Sequence, residues 1–221
     1  MKAAILFIVL GLFSFSSQAK TEMSFLDVYV EPLIDFGMGK YEIGESPNFL
    51  DEGSFNPLSL GGRLGLKLGP VFVGFDYYES GIVGGSSEMQ VSSTNRERYP
   101  KVQNGTLTSI GPSLGVQVGR AYLWGAVTAE SLEQDLLKPE KYEHEYEGTG
   151  VRISLDFDIF KSIHAGFFYH SRSFDKYTST LSTDTVENAE LPNELNSTTY
   201  GIKLSYFFSI SQVPGLTQVF K

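Results

Sequence analysis

Twelve charged residues occupy the polar side of stretches in which apolar and polar residues alternate. Buried charges are tolerated when they are paired and are strongly unfavourable when they are not. Seven acids and five bases come close to balance: Asp27, Glu31, Asp35, Asp76, Glu130, Asp156 and Asp158 with Arg63, Lys67, Arg152, Arg172 and Lys203. They predict an interior network of ion pairs, which can be a static filling or a gate. The candidate members are Glu31, Arg63, Lys67, Asp76, Arg152, Asp156, Asp158 and Lys203.

A histidine and a serine stand side by side at positions 170 and 171, and these residue types could act as base and nucleophile. Consecutive side chains of a strand point to opposite faces, so His170 points inward, Ser171 points outward, and the two cannot share a proton. The same alternation places His164 inside. We expect both histidines to pack and hydrogen-bond in the interior, His164 beside Asp158 and His170 beside Arg152.

Divalent-cation binding is a second chemical possibility, because Glu143-His144-Glu145 lies among further acids. A solvated acidic surface loop explains the same residues, and we favour that interpretation. A related hypothesis is that these carboxylates share divalent ions with phosphate groups outside the protein. No metal and no cofactor are expected.

The element that positions the charges is clearest at residues 58–78. Leucine fills most even positions of 58–68, with Ser, Gly, Arg or Lys between, and this period of two predicts a strand with one apolar face. Gly69-Pro70 forms a two-residue turn, and residues 71–77 resume the apolar face. The turn pairs Arg63 with Asp76, which brings opposite charges together on the polar side.

Two more short turns repeat the pattern. Gly119-Arg120 joins two alternating stretches and places Trp124 opposite Gly115, so that a small residue leaves room for a large ring. Residues 160–162 connect the alternating stretch 150–159 to the next one.

Alternating stretches at residues 26–39 and 198–210 open and close the set. We expect a bulge at Pro32, because proline has no N–H to donate to a neighbouring strand. If the first and last strands are neighbours, Glu31 and Lys203 come within reach of the predicted ion pair.

Long polar segments separate the hairpins, so short and long connections alternate strictly through eight predicted strands. The predicted loops are residues 41–57, 80–105, 131–147 and 174–197.

The N-terminus and the composition narrow the class of protein. Met1-Lys2, the apolar run 3–15 and Ser17-Gln18-Ala19 predict a secretory signal peptide. No second apolar run is long enough for a membrane helix, so a helical membrane protein is excluded. The 221 residues include no Cys, which rules out disulfides and a lipid-anchored lipoprotein, and the net charge of −9 argues against nucleic acid as a partner.

The apolar face of these strands suits contact with lipid on the outside of a barrel. The opposite face, with its Gly, Ser and charges that can pair, suits a packed lumen. The predicted fold is all-β, a closed antiparallel eight-stranded transmembrane up-and-down β-barrel. The whole mature chain resembles the small eight-stranded outer-membrane β-barrel proteins of Gram-negative bacteria, with OmpA/OmpX-like membrane domains. This resemblance implies the outer membrane as location, surface loops, and a signal in the last strand for the assembly machinery: Tyr200, Ile202, Leu204, Tyr206 and Phe208.

These patterns predict a signal peptide at residues 1–19, a barrel at 20–210 and a short periplasmic tail at 211–221, with no further periplasmic domain. We expect a monomer with a structural or surface-interaction role, a filled lumen, and outer-membrane lipids and lipopolysaccharide as partners. The alternative is a narrow gated pore for small solutes or ions. A lipid A-modifying enzyme is third, because resemblance to the barrel lipid A deacylases requires a lipid-facing His-x-Ser pair, and His170 is followed directly by Ser171.

Overall fold

The computed structural model describes residues 26–46, 49–92, 95–99, 105–137, 141–160, 162–181 and 185–209. The predicted signal peptide and tail lie outside these residues and stay predictions. The described part contains no helix long and apolar enough to cross a membrane. It forms the strands β1 (Leu26–Ser46), β2 (Phe49–Leu68), β3 (Val71–Ser92), β4 (Asn95–Tyr99), β5 (Gly105–Val118), β6 (Ala121–Leu137), β7 (Lys141–Phe160), β8 (Ile163–Leu181), β9 (Thr185–Tyr206) and β10 (Phe208–Ser209).

The strands form one antiparallel sheet that closes on itself. Its order is β1-β2-β3-β5-β6-β7-β8-β9, and β9 pairs back onto β1 from Leu33–Ser205 to Ile43–Leu195. The short β10 continues β9 beyond Phe207 and also pairs with β1, whereas β4 folds back on β3. The predicted closed eight-stranded up-and-down barrel is therefore confirmed.

Both predicted glycine turns and their registers are confirmed. Arg63 lies opposite Asp76, and Gly115 lies opposite Trp124. Gly69 and Gly119 have φ of 61° and 63°, at the turn position where type II′ hairpins need glycine.

One carbonyl group in each short turn accepts a backbone N–H from a residue beyond its own hairpin. The bonds run from Gln117 N to Pro70 O (2.8 Å), from Asp158 N to Arg120 O (3.0 Å) and from Phe207 N to Ser162 O (2.7 Å).

The barrel is apolar outside and mostly polar inside. Among the described residues, 28 large hydrophobic side chains are exposed, by 36–72% of their surface, while buried polar or charged residues (21) outnumber buried hydrophobic ones (14). A water-soluble protein has the opposite distribution. The exposed side chains form a lipid-facing belt that includes Ile34, Leu60, Leu114, Ile153 and Phe167.

The predicted loop boundaries are wrong, because the strands continue far into all four segments. β1 and β2 extend to Ser46 and back from Phe49, and β7 begins at Lys141. Crossing a bilayer takes roughly 9–11 residues per strand, whereas these strands have 14–22 residues on either side of the turns. Above the lipid the outer face meets water, so the apolar alternation that reveals a strand is lost there.

The bulge predicted at Pro32 is also wrong. Pro32 stays in register with Gly62, and only the pairing with β9 and β10 is interrupted beside it. The missing N–H therefore removes a ladder bond without shifting the strands. Among the described residues, β1 and β2 shift register between Ile43 and Ser46, and β2 and β3 shift beside Asn56, where β3 contains one extra residue.

Two boundaries need smaller corrections. Phe160 still pairs with Ile163, so the third turn is shorter than residues 160–162. The last barrel strand begins at Thr185, well before residue 198, and it is interrupted at Phe207.

Candidate functional site

Arg63 is the centre of the interior charges. Its Nε and Nη2 donate to the two carboxylate oxygens of Asp76 at 2.7 and 2.8 Å, in a bidentate pair. Its Nη1 donates to Glu31 Oε2 at 2.9 Å, and the guanidinium lies 3.7 Å from the centroid of the Trp124 ring. All three charged residues are at most 2% exposed, so this ion triad is dry.

Lys203 extends the triad across the closing strand. Its Nζ donates to Asp156 Oδ2 at 2.5 Å and to Glu31 Oε1 at 3.3 Å. Glu31 also accepts the Ser205 hydroxyl at 2.6 Å, and Asp76 accepts the Tyr78 hydroxyl at 2.5 Å. We name this set the central network: Glu31, Arg63, Asp76, Asp156 and Lys203.

Arg152 forms a separate ion pair on the loop side of the central network. Its Nη2 donates to Asp35 Oδ2 at 2.5 Å. The guanidinium lies between two aromatic rings, 4.3 Å from the centroid of Tyr78 and 4.2 Å from that of Phe168. Such stacking suits arginine, which is weakly hydrated and planar.

A third group surrounds Glu130. Glu130 Oε2 accepts the Ser109 hydroxyl at 2.6 Å and Arg172 Nε at 3.0 Å, while Oε1 accepts the Thr128 hydroxyl and lies 3.0 Å from His170 Nε2. We name these residues the Glu130 cluster: Ser109, Thr128, Glu130, His170 and Arg172.

The hydrogen bonds of His170 determine its tautomer. Arg172 Nη2 lies 2.7 Å from His170 Nδ1, and arginine can only donate. Nδ1 therefore accepts, and the ring proton sits on Nε2, where it points to Glu130. Arg152 is the strand partner of His170, as predicted, but the hydrogen bonds of His170 go to Glu130 and Arg172.

His164 has a different environment, near the short turns. Its Nε2 lies 2.8 Å from Asp158 Oδ1, as predicted, and its Nδ1 lies 3.7 Å from Glu31 Oε1. The imidazole stacks on Tyr122 with ring centroids 4.5 Å apart, and on Phe207 at 5.7 Å. Both ring nitrogens thus face carboxylates, and the ring is buried.

Hydrophobic groups close the interior at both ends. The turn-side aromatic cluster consists of Tyr29, Phe72, Tyr122, Trp124 and Phe207. The loop-side apolar cluster consists of Leu107, Leu132, Phe174 and Leu195, with Tyr41, Ile82 and Tyr146 packed against it. The charged groups between these two clusters are separated from water by packed side chains.

The alternation correctly oriented all twelve charged residues, since each one is buried or half-buried in the interior. It also identified the Arg63–Asp76 pair and the neighbouring Glu31 and Lys203. Lys67 and Asp158 lie nearer the short turns; Lys67 contacts Gln117 at 3.5 Å rather than a member of the central network. Sequence reasoning missed the Glu130 cluster, although parity had placed its charged members inside.

The remaining predicted residues have the following positions. Tyr200, Ile202 and Leu204 are exposed on the lipid face, and Tyr206 and Phe208 are half-buried; their role as an assembly signal stays a prediction. The side chains of Glu143 and His144 lie outside the described part of the chain. Among the described residues, no group of three or more His, Cys, Asp or Glu side chains could hold a metal ion.

Comparison of the backbone with solved structures agrees with this architecture. The solid-state NMR structure of the outer membrane protein AlkL in DMPC lipid bilayers has a TM-score of 0.50 and 13% identity, covering 90% of this chain and 98% of AlkL. The chain has the fold of the small eight-stranded outer-membrane β-barrels. The lipid-facing belt agrees with this identification and places the barrel in the outer membrane.

Other outer-membrane barrels are also similar to this small barrel. The attachment invasion locus protein Ail of Yersinia pestis gives a TM-score of 0.48 with 12% identity over 80% of this chain and 98% of Ail. The outer membrane protease OmpT from Escherichia coli gives 0.39 with 6% identity over 87% of this chain and all of OmpT. No protein-family model and no curated protein sequence matches the chain. At these identities the likeness concerns the fold alone.

Proposed function

We propose that this protein is a non-conducting outer-membrane barrel with a structural or surface-interaction role. The observation that carries this proposal is the dry central network, which joins β1, β2, β3, β7 and β9 across the lumen. Eight strands enclose just enough space for side chains to fill. The hydrophobic clusters at both ends add to the obstruction. The strands that continue beyond the lipid would carry contact surfaces on the cell exterior.

The expected partners follow from this placement. The exposed belt would contact outer-membrane lipids and lipopolysaccharide, and the last strand would be recognised by the outer-membrane assembly machinery. A closed barrel has no free strand edge in the lipid, so we expect a monomer.

Single-channel recording of the refolded protein in a planar lipid bilayer tests the proposal. The heat-dependent shift in electrophoretic mobility confirms folding in the same preparation. We expect a silent bilayer. Discrete, reproducible conductance steps from folded protein would overturn the filled lumen.

A narrow gated pore is the second candidate, and one observation favours it. Lys203 already contacts two carboxylates, Glu31 and Asp156, so the ion pairs have alternative partners. If the network is a gate, Arg63→Ala raises conductance. If it is a filling, the variant stays silent and is less stable.

A lipid A-modifying enzyme is the third candidate. His170 is buried in the Glu130 cluster, whereas Ser171 lies on the other face of β8. Release of acyl chains from lipid A by the wild type, lost in His170→Ala, would revive this function.

A further inference from the structure

We propose that the barrel binds the phosphate group of a lipid headgroup on its loop side, through Lys40 and the hydroxyl groups beside it. This site rests on the contact with outer-membrane lipids proposed above, and it names the group in those lipids that the protein recognises. It also assigns the contact to one side of the barrel, formed by β8, β9 and β1.

A row of polar residues crosses these three strands on the outer face. Lys40 of β1 is paired with Thr198 of β9, and Thr198 is paired with Ser171 of β8. Directly opposite residues of antiparallel strands point to the same face of the sheet. The side chain of Lys40 is exposed, and those of Thr198 and Ser171 are half-buried. We name these three residues the Lys40 row.

The Lys40 row lies directly above the lipid-facing belt. The last apolar row of the belt on this side consists of Met38, Tyr200 and Tyr169, which are paired across the same strands and exposed by 48–55%. The Lys40 row lies two residues farther along each strand. This step is about 6.8 Å along a strand, or about 5 Å along the bilayer normal at the usual tilt. The headgroup layer is about 5–8 Å thick, so the Lys40 row lies at the depth of lipid phosphates.

The chemistry of the Lys40 row suits a phosphate group. The Lys40 ammonium has three hydrogen-bond donors and a full positive charge, and a hydroxyl group also donates to phosphate oxygens. Neighbouring strands lie about 4.8 Å apart, so a phosphate beside Lys40 is within reach of the Thr198 hydroxyl. In the row below, tyrosine rings suit the boundary between hydrocarbon and headgroups, because the ring is apolar and its hydroxyl is polar.

The ammonium of Lys40 is not used within the described part of the chain. Lys176, the other exposed lysine there, has its Nζ 3.9 Å from a carboxylate oxygen of Glu147, whereas no described carboxylate forms an ion pair with Lys40. The next acid on the same face of β1 is Glu42, which is exposed. It lies two residues beyond Lys40, about 10 Å above the last apolar row and past the headgroup layer. The charge of Lys40 can therefore serve a ligand at headgroup depth.

The side of the barrel formed by β6 and β7 has the opposite charge at the same end. Glu133 is paired with Glu145, Ser131 is paired with Glu147, and all three glutamates are exposed. These carboxylates repel a phosphate group. The barrel thus presents one favourable side to a phosphorylated lipid, and the Lys40 row is on that side.

Magic-angle-spinning NMR of the protein with ¹⁵N-labelled lysine tests the site. The bilayer consists of digalactosyl diacylglycerol, which has no phosphorus, with phosphatidic acid as the phosphorylated probe. Dephasing of a lysine ¹⁵Nζ signal by ³¹P then reports a lipid phosphate beside that lysine. We expect dephasing of the signal that disappears in Lys40→Gln, and none of the signal that disappears in Lys176→Gln. No dephasing at Lys40 would overturn the inference.

Inorganic phosphate distinguishes a lipid headgroup from a free anion. In a second sample the bilayer contains no phosphatidic acid, and the buffer supplies the same amount of phosphate. We expect no dephasing at Lys40 in this sample. Equal dephasing in the two samples would contradict a lipid site and identify a site for free phosphate.

Lipid selectivity gives an independent readout. EPR in phosphatidylcholine bilayers measures how strongly spin-labelled phosphatidic acid associates with the protein, relative to spin-labelled phosphatidylcholine. In Lys40→Gln this relative association constant should fall by at most about fivefold, the contribution of one lysine near a charged membrane surface. Lys176→Gln removes the same charge and should leave the constant unchanged. Equal falls in both variants would indicate a general charge effect and overturn the site.

Two further measurements separate this proposal from the proposed function. Cross-peaks between lipid chains and Ile202, recorded on the same sample, report contact of the belt with lipid. Chain contacts without dephasing at Lys40 contradict the headgroup site alone. Conductance steps contradict the filled lumen alone, because the Lys40 row lies on the outer face.

Discussion

The central network and the Glu130 cluster both bury charge, but they distribute it differently. In the central network each cation serves two carboxylates, and its members come from five strands. In the Glu130 cluster one carboxylate accepts a hydrogen bond from each of the four other members, which lie on β5, β6 and β8. Removing Arg63 should therefore deprive two carboxylates of a cation, whereas removing Arg172 deprives only one, and that carboxylate keeps its three other hydrogen-bonding neighbours.

Arg63→Ala should have the largest effect. The variant leaves both Glu31 and Asp76 without their guanidinium partner, and breaking a buried ion pair costs about 3–5 kcal/mol of stability. Urea unfolding in micelles, followed by the electrophoretic mobility shift, measures the loss. The matched control is Lys176→Ala. Lys176 lies 3.9 Å from Glu147, and both side chains are more than half exposed, so this ion pair should contribute less than about 1 kcal/mol to stability. Equal losses in both variants would contradict a dry central network.

Arg172→Ala should cost less, near the lower limit of about 3 kcal/mol for a broken buried pair. Glu130 keeps the hydroxyls of Ser109 and Thr128 and the ring of His170, so its charge stays hydrogen-bonded. The same unfolding assay measures the difference from Arg63→Ala. A loss larger than that of Arg63→Ala would reverse the proposed order of the two regions.

Gly115→Ala should cost about 1–3 kcal/mol, the usual penalty for overpacking. A Cβ at this position would lie 2.3 Å from Trp124 Cε3, so the ring over which Arg63 stacks must move. Gly125→Ala is the matched control, because its new methyl group points to lipid and meets no atom within 4 Å. If both variants are equally stable, Trp124 is not tightly packed against Gly115.

Ser171→Ala should have the smallest effect, below about 0.5 kcal/mol for a substitution outside the packed interior. Ser171 is on the opposite face from the Glu130 cluster and takes no part in either charged region. Lipid A should also remain unmodified to the same extent as with the wild type. A change in lipid A products would bring the enzyme hypothesis back.

The period of two explains which parts of the interior could be predicted from the sequence. It fixes the side to which each residue points, so Arg63, Asp156 and Lys203 were correctly placed inside. A two-residue turn also fixes a local register, which gave the Arg63–Asp76 pair. The pair of Arg152 with Asp35 joins residues 117 positions apart, and its partners meet only after the barrel closes. The alternation of apolar and polar residues does not predict which residues of strands far apart in the sequence will meet.

The hairpin extensions escaped prediction for a different physical reason. Residues such as Ser54 and Glu145 lie in strands above the lipid, where no apolar face is required. Backbone hydrogen bonds, which every residue except proline can donate, hold those strands together, and their buried apolar residues face only inward. The sequence pattern therefore indicates the edge of the lipid-facing region more clearly than it indicates the ends of the strands.

The carbonyl groups of the three short turns have a consequence for rearranging the gene. In each bond the donor comes later in the chain than the turn: β5 donates to the turn after β2, β7 donates to the turn after β5, and Phe207 donates to the turn after β7. A truncated chain that lacks its final strand would leave Ser162 O without its donor. A circular permutant that joins the natural ends and opens between β3 and β5 would keep all three bonds, so new termini are best placed on the side away from these turns.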